Sequence, residues 1–416
     1  MTRVKMGFVG AGFIAHFQVL ALRQVRGIDL VGIVSPNRAQ SLVDEVNELG
    51  LGPCKRYDTV EALCEVCDVV CIFAPNYLRE EHVQAIVDAQ KNGANLKGVV
   101  CEKPLARTVI GARKLVAMAE EANLKTFYFE NQLFMKPITI QREQLAPQQE
   151  AMGPLALVRS AEEHAGPHEP WFWDPVRQGG GVLSDMGCHS IAVAWFALTP
   201  VGKPLDFLEP ISVSCELALL KWGLPKWRAD LKERMGVDYA KTPAEDFATG
   251  VVTFRNPETG QHVKAQFTNS WMFDKQGLRI CMDGMGPGYA FEVDSLKSPM
   301  NVFIGDAAAD AVADSESALE KSTSSRGLLV VETNEADLYG YADEMEEVRD
   351  AILKDRAPMA DWNYGVEIVR LCAAAYMAGE RKMTIDLTDP AINEELETYV
   401  SLIAQGRGLE VLHVPE

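Results

Sequence analysis

The segment GGGVLSDMGCHS, residues 179–190, carries two side chains that can do chemistry, Asp185 and His189. Residues four apart in a helix lie on the same face, so the carboxylate and the imidazole would stand side by side. Such a pair suits a metal site, a proton relay, or a structural histidine with a satisfied hydrogen bond. The three preceding glycines permit a backbone that other residues would resist. This segment alone leaves the three alternatives open.

A second group of candidate side chains lies just upstream, in EEHAGPHEPWFWDP, residues 162–175. Aromatic faces and imidazoles are suited to stacking on a sugar ring and hydrogen-bonding its hydroxyls. Two alternatives stay open: tryptophans that only cover the core, and a metal site that also takes Glu163 and His189. The substrate-binding candidates in this segment are His164, His168, Trp171 and Trp173.

A glycine loop near the N-terminus follows an apolar run, VKMGFVG, and precedes residues with helical spacing of apolar positions. The loop has the pattern G-x-G-x-x-A. Its first glycine permits a tight turn, its second lets a pyrophosphate approach the backbone, and its small third residue lets helix and strand pack closely. The pattern in this strand–helix context predicts a nucleotide site rather than a turn without a ligand. The loop residues are Gly10, Gly12, Phe13, Ile14 and Ala15.

The second predicted strand, IDLVGIVS, ends without the acidic residue that often marks a site for NAD. The chain has Ser35, Asn37 and Arg38 there instead. A serine and an arginine can accept a 2′-phosphate, although a surface arginine at a helix start is the simpler alternative. The position leans slightly toward NADP and leaves NAD open.

Strands and helices that must position these residues follow two different patterns. Apolar runs alternate with helical segments over about the first 130 residues, which predicts βαβ units and a doubly wound parallel sheet. Later runs alternate between polar and apolar residues and are separated by turns, which predicts a large, mainly antiparallel open sheet. We therefore expect an α/β protein with a Rossmann domain at 1–135 and an α+β domain at 136–416. Late helices are expected at 337–355 and 364–379, and an exposed or mobile polar insert at 306–327.

Composition excludes several classes of partner. The formal net charge of −19 argues against nucleic acids and anionic membranes, which require a basic surface. Nine cysteines, mostly within apolar runs, indicate buried thiols in a reducing compartment. Cys64 and Cys67 form a C-x-x-C without a second pair at zinc-ribbon spacing, so we expect a structural role. With no signal-peptide pattern and no apolar run near the roughly 18 residues of a membrane span, we expect a cytoplasmic protein that handles small ligands.

Four motifs in order along the chain resemble the Gfo/Idh/MocA oxidoreductases, the group of glucose–fructose oxidoreductase and inositol dehydrogenase. They are GAGFIA, APN at 74–76, CEKPLA at 101–106 and DMGCH at 185–189, with a further likeness at Tyr341–Glu344 and 373–387. The resemblance implies hydride transfer between NAD or NADP and a secondary alcohol or ketone of a sugar, glycoside or cyclitol. It also implies a homodimer or homotetramer that buries the open sheet face.

The resemblance assigns roles to individual residues. Lys103, Asp185 and His189 would be catalytic and would also touch substrate: His189 as base, Asp185 orienting its ring, and Lys103 stabilising the developing alkoxide. The glycine triplet would let backbone and nicotinamide come close together. Ala192 stands where many members have an aspartate, which puts substrate contacts at that edge in doubt. Further cofactor residues would be Ala74, Pro75, Asn76, Glu102 and Lys103, and Asn131 would join the substrate residues.

Two other functions remain open at this point. One is a metal-assisted lyase or hydrolase on the same fold, with His164, His168 and His189 as ligands. The other is a dinucleotide-binding sensor or regulatory subunit without chemistry. The joint presence of lysine, aspartate and histidine speaks against the sensor, and the prediction includes no metal.

Overall fold

The N-terminal part of the chain forms a six-stranded parallel sheet with the order β3-β2-β1-β4-β5-β6. The computed structural model describes residues 3–275, 277–295 and 339–415, and the backbone alone of 301–304 and 327–330. The strand order reverses between β1 and β4, and ligands of such sheets bind at the carboxyl ends of the strands beside that reversal. The strands are β1 (Val4–Val9), β2 (Ile28–Val34), β3 (Lys55–Tyr57), β4 (Val69–Ile72), β5 (Gly98–Glu102) and β6 (Lys125–Phe129).

Helices cover both faces of this sheet, as its nearly continuous apolar strands require. The first five are α1 (Phe13–Leu22), α2 (Ala39–Glu48), α3 (Val60–Cys64), α4 (Arg79–Lys91) and α5 (Val109–Glu121). The later ones are α6 (Lys136–Met152), α7 (Pro170–Trp173), α8 (Pro175–Gln178), α9 (Cys188–Leu198), α10 (Pro225–Met235), α11 (Tyr341–Leu353), α12 (Trp362–Arg381) and α13 (Pro390–Thr398).

One late helix belongs to the packing of the first sheet. Val348 of α11 lies in the same core cluster as Phe8 of β1, Val19 of α1 and Val43 of α2. The chain therefore returns to the first sheet after building the second. A domain boundary at 135/136 remains a prediction, and α11 lies on the far side of it in sequence.

A second sheet of seven strands has the order β12-β11-β7-β10-β9-β8-β15. β7 and β10 pair in parallel and the remaining neighbours are antiparallel, so the predicted mainly antiparallel sheet is confirmed. Its strands are β7 (Leu157–Glu163), β8 (Glu209–Ala218), β9 (Phe247–Arg255), β10 (His262–Ser270), β11 (Arg279–Gly286), β12 (Tyr289–Asp294) and β15 (Ile385–Asp386). A separate hairpin consists of β13 (Asn301–Ile304) and β14 (Gly327–Val330).

Alternation along the strands gives this sheet one covered face. In β10, Val263, Ala265 and Phe267 are buried, whereas Lys264 between them is exposed. The buried face packs on α9, all of whose residues are buried, and on α12. Hydropathy and length alone would let the helical stretch 175–198 cross a membrane, yet its apolar window of 18 residues is wholly buried within this core, as the central helix of a packed protein would be.

Two other expectations concern the last third of the chain. The late helices occupy Tyr341–Leu353 and Trp362–Arg381, close to the predicted ranges. Apart from residue 327, which begins β14, the predicted polar insert lies outside the described residues.

Candidate active site

The glycine loop between β1 and α1 has the shape that a pyrophosphate requires. Gly10 has a φ of +111°, and a Cβ on it would lie 2.7 Å from the carbonyl carbon of Phe73. A Cβ on Gly12 would meet no atom within 4 Å, so the space in front of α1 is open. No side chain caps this helix and no acidic residue lies in its first turn, so its first N–H groups are available to an anion. Ala15 is fully buried against the sheet, as a small third residue allows.

Further predicted cofactor residues lie at the ends of β2 and β4. Ser35 is half-buried, Asn37 is exposed, and the exposed Arg38 places its guanidinium 3.3 Å from the carboxylate of Glu169. At the end of β4, Ala74 is buried and Pro75 precedes a short 3-10 helix. Asn76 is buried, and its amide donates to the carbonyl of Gln178 at 2.8 Å. The Asn76 amide therefore already ties the two halves of the chain together.

Lys103 lies just past β5 and forms an ion pair with Asp185. Its Nζ donates to the backbone oxygen of Asp185 at 2.7 Å and lies 3.3 Å from Oδ1 of the same residue. Burial lowers the pKa of Lys103, but the adjoining Asp185 carboxylate outweighs it, so this pKa is raised above its ordinary value. Lys103 is therefore a persistent cation rather than a base.

Asp185 faces Lys103 and not His189, which corrects the predicted relay. Trp271 donates from Nε1 to Asp185 Oδ2 at 3.3 Å, and Nε2 of His164 lies 3.9 Å from the same oxygen. Residues Leu183–Gly187 form a π-helical turn, which is wider than an α-helical turn and changes the angle between side chains four residues apart. Each of the two side chains consequently finds its partner on a different element.

His189 is held by Glu130, which the sequence reasoning did not single out. The Nδ1 atom of His189 is hydrogen-bonded to Oε1 of Glu130, and neither side chain is more than 6% exposed. Burial lowers the pKa of His189, but the carboxylates of Glu130 and Glu162 outweigh it, and the pKa is raised. Within the described part of the chain, Nε2 of His189 makes no hydrogen bond, so it is the atom left for a ligand.

A sequence signal for Glu130 did exist. Glu130 directly follows the last residue of β6, and the carboxyl ends of parallel strands form the ligand-binding edge of such a sheet. An acid there is therefore a site candidate. Neighbouring Asn131, a predicted substrate residue, instead donates its side-chain amide to the carbonyl of Tyr339 at 2.8 Å.

The turn after β5 is fixed by two further buried charged groups. Arg79 donates to the carbonyl of Lys103 at 2.9 Å, and the backbone N–H of Lys103 donates to the carboxylate of Glu102 at 3.2 Å. Burial raises the pKa of Glu102 to about 7, with Lys103 and Arg79 opposing that rise. Glu102 is thus a buried carboxylate at the carboxyl edge of β5, next to the lysine of the site.

The glycine triplet packs closely against other parts of the protein, and its contact with nicotinamide stays a prediction. Gly180 has a φ of +145°, and a Cβ on it would lie 1.9 Å from the hydroxyl of Tyr376. A Cβ on Gly181 would lie 2.2 Å from the backbone oxygen of Glu245. The Glu245 carboxylate accepts from the N–H groups of Gly181 and Leu183, both at 3.0 Å, and from Tyr376 at 2.7 Å. These glycines therefore anchor the start of the helix that carries Asp185 and His189.

The aromatic cluster divides into a core residue and surface residues. Trp173 is only 1% exposed, donates to the carbonyl of Pro167 at 2.9 Å, and packs on Trp222 and Trp271. This ring is enclosed by other tryptophans, so its predicted substrate contact is wrong. Trp171 is half-buried and stacks on Phe172 with ring centroids 3.8 Å apart.

The two histidines of the same segment have different surroundings. His168 is exposed and packs on Phe13, with ring centroids 4.7 Å apart. His164 accepts a hydrogen bond at Nδ1 from the N–H of Gly166 at 2.9 Å, which leaves Nε2 directed toward Asp185. Burial lowers the pKa of His164. Of the four predicted substrate residues here, His164 is the one that lies beside the Lys103–Asp185 pair.

Metal ligation finds little support among the residues that the structure describes. No group of three His, Cys, Asp or Glu side chains in this part of the chain is arranged to hold a metal ion. All nine cysteines are free thiols, and burial raises the pKa of Cys64 to about 12 and also that of Cys67. The C-x-x-C pair is therefore a pair of buried, protonated thiols.

The first sheet carries a glycine loop after its first strand, and Lys103 and Glu130 follow two of its other strands. The helical segment that covers the second sheet adds Asp185 and His189 as their partners. These features define a dinucleotide-binding α/β protein. The chain belongs to the Gfo/Idh/MocA oxidoreductase family. Residues 4–129 match the NAD-binding Rossmann fold of that family and residues 146–285 match its C-terminal domain.

Several characterised proteins are similar to this chain. The glucose-6-phosphate 3-dehydrogenase of Bacillus subtilis (strain 168) is 24% identical over 196 residues, which is 46% of this chain and 53% of that protein. The 1,5-anhydro-D-fructose reductase of Ensifer adhaerens is 26% identical over 226 residues, 53% of this chain and 62% of its own length. The chain thus spans little more than half the length of these relatives.

Solved structures share the fold over nearly the whole chain. GenD2 from gentamicin A biosynthesis, solved with NAD, superimposes with a TM-score of 0.72 at 21% identity and covers 93% of this chain and 97% of its own. The scyllo-inositol dehydrogenase of Lactobacillus casei gives 0.66 at 16% identity, with 93% and 99% covered. At these low sequence identities, the comparison with solved structures shows a shared fold and no more.

Proposed function

We propose that this protein is an NAD(P)-dependent oxidoreductase that transfers a hydride between nicotinamide and a secondary alcohol or ketone of a sugar, glycoside or cyclitol. One observation carries the proposal: a fixed cation and an imidazole lie at the same edge of the first sheet. The cation is Lys103, and the imidazole is His189, whose Nε2 makes no hydrogen bond to the described residues. The names of the relatives, which act on sugar derivatives or inositols, support the substrate class.

Proton transfer would occur at Nε2 of His189. In the oxidation direction this atom accepts the hydroxyl proton, while Glu130 at Nδ1 holds the ring and stabilises the imidazolium that forms. Lys103 donates a hydrogen bond to the same substrate oxygen as negative charge develops on it. When bound, the nicotinamide supplies the hydride acceptor.

Several side chains would position these two groups. Asp185 holds Lys103, and Trp271 holds Asp185 through its indole N–H. His164, uncharged because burial lowers its pKa, points Nε2 toward the same carboxylate and can donate to a substrate hydroxyl beside it. The polar groups at this edge are therefore preorganised for an oxygen-rich substrate.

The metal-assisted alternative requires ligands that the described residues use in other ways. Nδ1 of His189 is taken by Glu130, His168 packs on Phe13, and Nδ1 of His164 accepts from the backbone. The sensor alternative gives no role to the imidazole of His189 or the ammonium of Lys103. Loss of activity with a chelator would support the metal-assisted alternative, and absence of turnover would support the sensor.

The test begins by denaturing the purified protein and identifying any released nucleotide. Sugars and cyclitols are then screened for a change in nicotinamide absorbance, in the parent and in His189→Ala and Lys103→Ala. Both variants should lose about 10²–10⁴-fold in turnover while still binding cofactor. His262→Ala, at an exposed histidine of β10, is the matched control and should behave as the parent. EDTA-sensitive turnover, or full activity in His189→Ala, would contradict the proposal.

A further inference from the structure

A short loop from the second half of the chain crosses the nucleotide edge of the first sheet. We call residues 165–172 the bridging loop. Its start is fixed because His164 pairs through its backbone with Ser270 and Phe273, at 3.1 and 3.2 Å. Its end is fixed by the buried Trp173, against whose ring Gly166 packs so closely that a Cβ there would lie 2.6 Å away. The loop is therefore held by the second sheet and its core.

The bridging loop touches the first sheet at three places. His168 packs on Phe13, which belongs to the glycine loop after β1. The ring centroid of Trp171 lies 6.0 Å from that of Tyr77, which follows β4. Glu169 reaches Arg38, which follows β2. The three contacts lie at the carboxyl ends of three parallel strands, which is the crevice where such sheets bind a dinucleotide. Glu169 therefore lies where the adenosine end of a cofactor would be held.

The end of β2 has no acidic residue of its own, and Glu169 brings a carboxylate there through its contact with Arg38. Sheets of this kind usually bind the adenosine ribose hydroxyls with an acidic residue at the end of the second strand. This chain has Ser35, Asn37 and Arg38 there, and Glu169 brings a carboxylate to Arg38, with Oε1 3.3 Å from both Nη1 and Nη2 of the guanidinium.

We infer that Glu169 is the residue that determines cofactor choice, and that it selects NAD over NADP. The inference rests on the proposed function and goes further than it. A carboxylate at this point accepts hydrogen bonds from the ribose hydroxyls and neutralises Arg38. A 2′-phosphate would meet that carboxylate at close range and would have to compete with it for the guanidinium. Arg38 alone favours NADP, whereas Arg38 paired with Glu169 does not.

The Glu169 carboxylate should change the affinity for the cofactor and not the stability of the protein. The side chains of Arg38 and Glu169 are 61% and 35% exposed, and such surface pairs contribute little to folding. Replacement of Glu169 should therefore leave the fold intact. The repulsion between two like charges about 6 Å apart at a partly exposed site corresponds to roughly tenfold in affinity.

The experiment measures dissociation constants of NADH and NADPH by fluorescence titration, without substrate. The proteins are the parent, Glu169→Gln, Arg38→Ala and the double variant. Glu121→Gln is the matched control, because Glu121 pairs with Lys91 at 2.8 Å on the surface at the carboxyl ends of α4 and α5. The parent and the control should prefer NADH. Glu169→Gln should shift the ratio of the two constants by about tenfold toward NADPH, and adding Arg38→Ala should remove that shift.

Different failures have different meanings. A parent that prefers NADPH, or a ratio that does not change in Glu169→Gln, would overturn the assignment of Glu169 while leaving the oxidoreductase proposal in place. Equal weakening of both cofactors in Glu169→Gln would also overturn it, since the loop would then serve only as a lid. A parent that binds neither cofactor would overturn the proposed function itself.

Discussion

Glu130→Gln is the substitution that examines the proposed base most directly. Gln keeps the size of the side chain and still accepts a hydrogen bond from Nδ1 of His189, but it removes the negative charge. In the parent, burial lowers the pKa of His189 and the carboxylates of Glu130 and Glu162 more than offset that, while Lys103 opposes them. Without the Glu130 charge the imidazolium is less stable, so the pKa of His189 should fall.

The loss of rate can be estimated from the contact itself. A buried hydrogen bond that involves a charged group contributes about 1.5–3 kcal/mol. The imidazolium develops as His189 accepts the proton, so this stabilisation is felt in the transition state. Its loss corresponds to roughly a 10- to 150-fold decrease in kcat. Oxidation needs the neutral ring, so the rate of the parent should rise with pH through a pKa above the ordinary value of histidine, and in Glu130→Gln this rise should move to lower pH.

Two measurements check this prediction. Initial rates of oxidation are recorded against pH for both proteins, with the substrate found in the screen. The pKa of His189 is also followed by NMR on histidine-labelled protein, in which the seven histidines are few enough to assign by substitution. An unchanged pKa together with a kcat within twofold of the parent would refute the pairing of Glu130 with His189. A folded state of normal thermal stability is required before either result is interpreted.

Three further predictions follow from the same structure. Gly12→Val should abolish NADH and NADPH binding with little change in thermal stability, because its side chain enters open space where the pyrophosphate would lie; unchanged titrations would contradict this. Gly181→Ala should lower the free energy of unfolding by about 3 kcal/mol or more in a denaturant titration, because its Cβ would meet the backbone of Glu245; a midpoint equal to the parent's would show that the contact relaxes. The open sheet face, with half-buried Ala161, Val251 and Thr268, should be covered by another subunit, so a scattering mass equal to the 45.8 kDa monomer would be the contrary result.

Local patterns in the sequence determined the architecture. Apolar strands alternating with helices predicted the parallel sheet, and alternation within single strands such as β10 predicted the half-covered one. The glycine loop was predictable in detail because the requirements of its turn, its helix start and its third small residue all lie within six neighbouring positions. The half-buried Lys103 was found through the motif around it, without knowledge of what it pairs with.

Only the tertiary structure decided the partners in the site. Glu130 is 59 residues from His189, Glu169 is 131 residues from Arg38, and the hydroxyl of Tyr376 is 195 residues from Gly181. Sequence periodicity tells which face of an element is buried, but not which atoms of another element will lie against it. That choice depends on how helices and loops from the second sheet pack across the edge of the first. For this reason His189, Lys103 and Asp185 could be named from sequence as site candidates, while the pairing of Asp185 with Lys103 and of Glu130 with His189 could not.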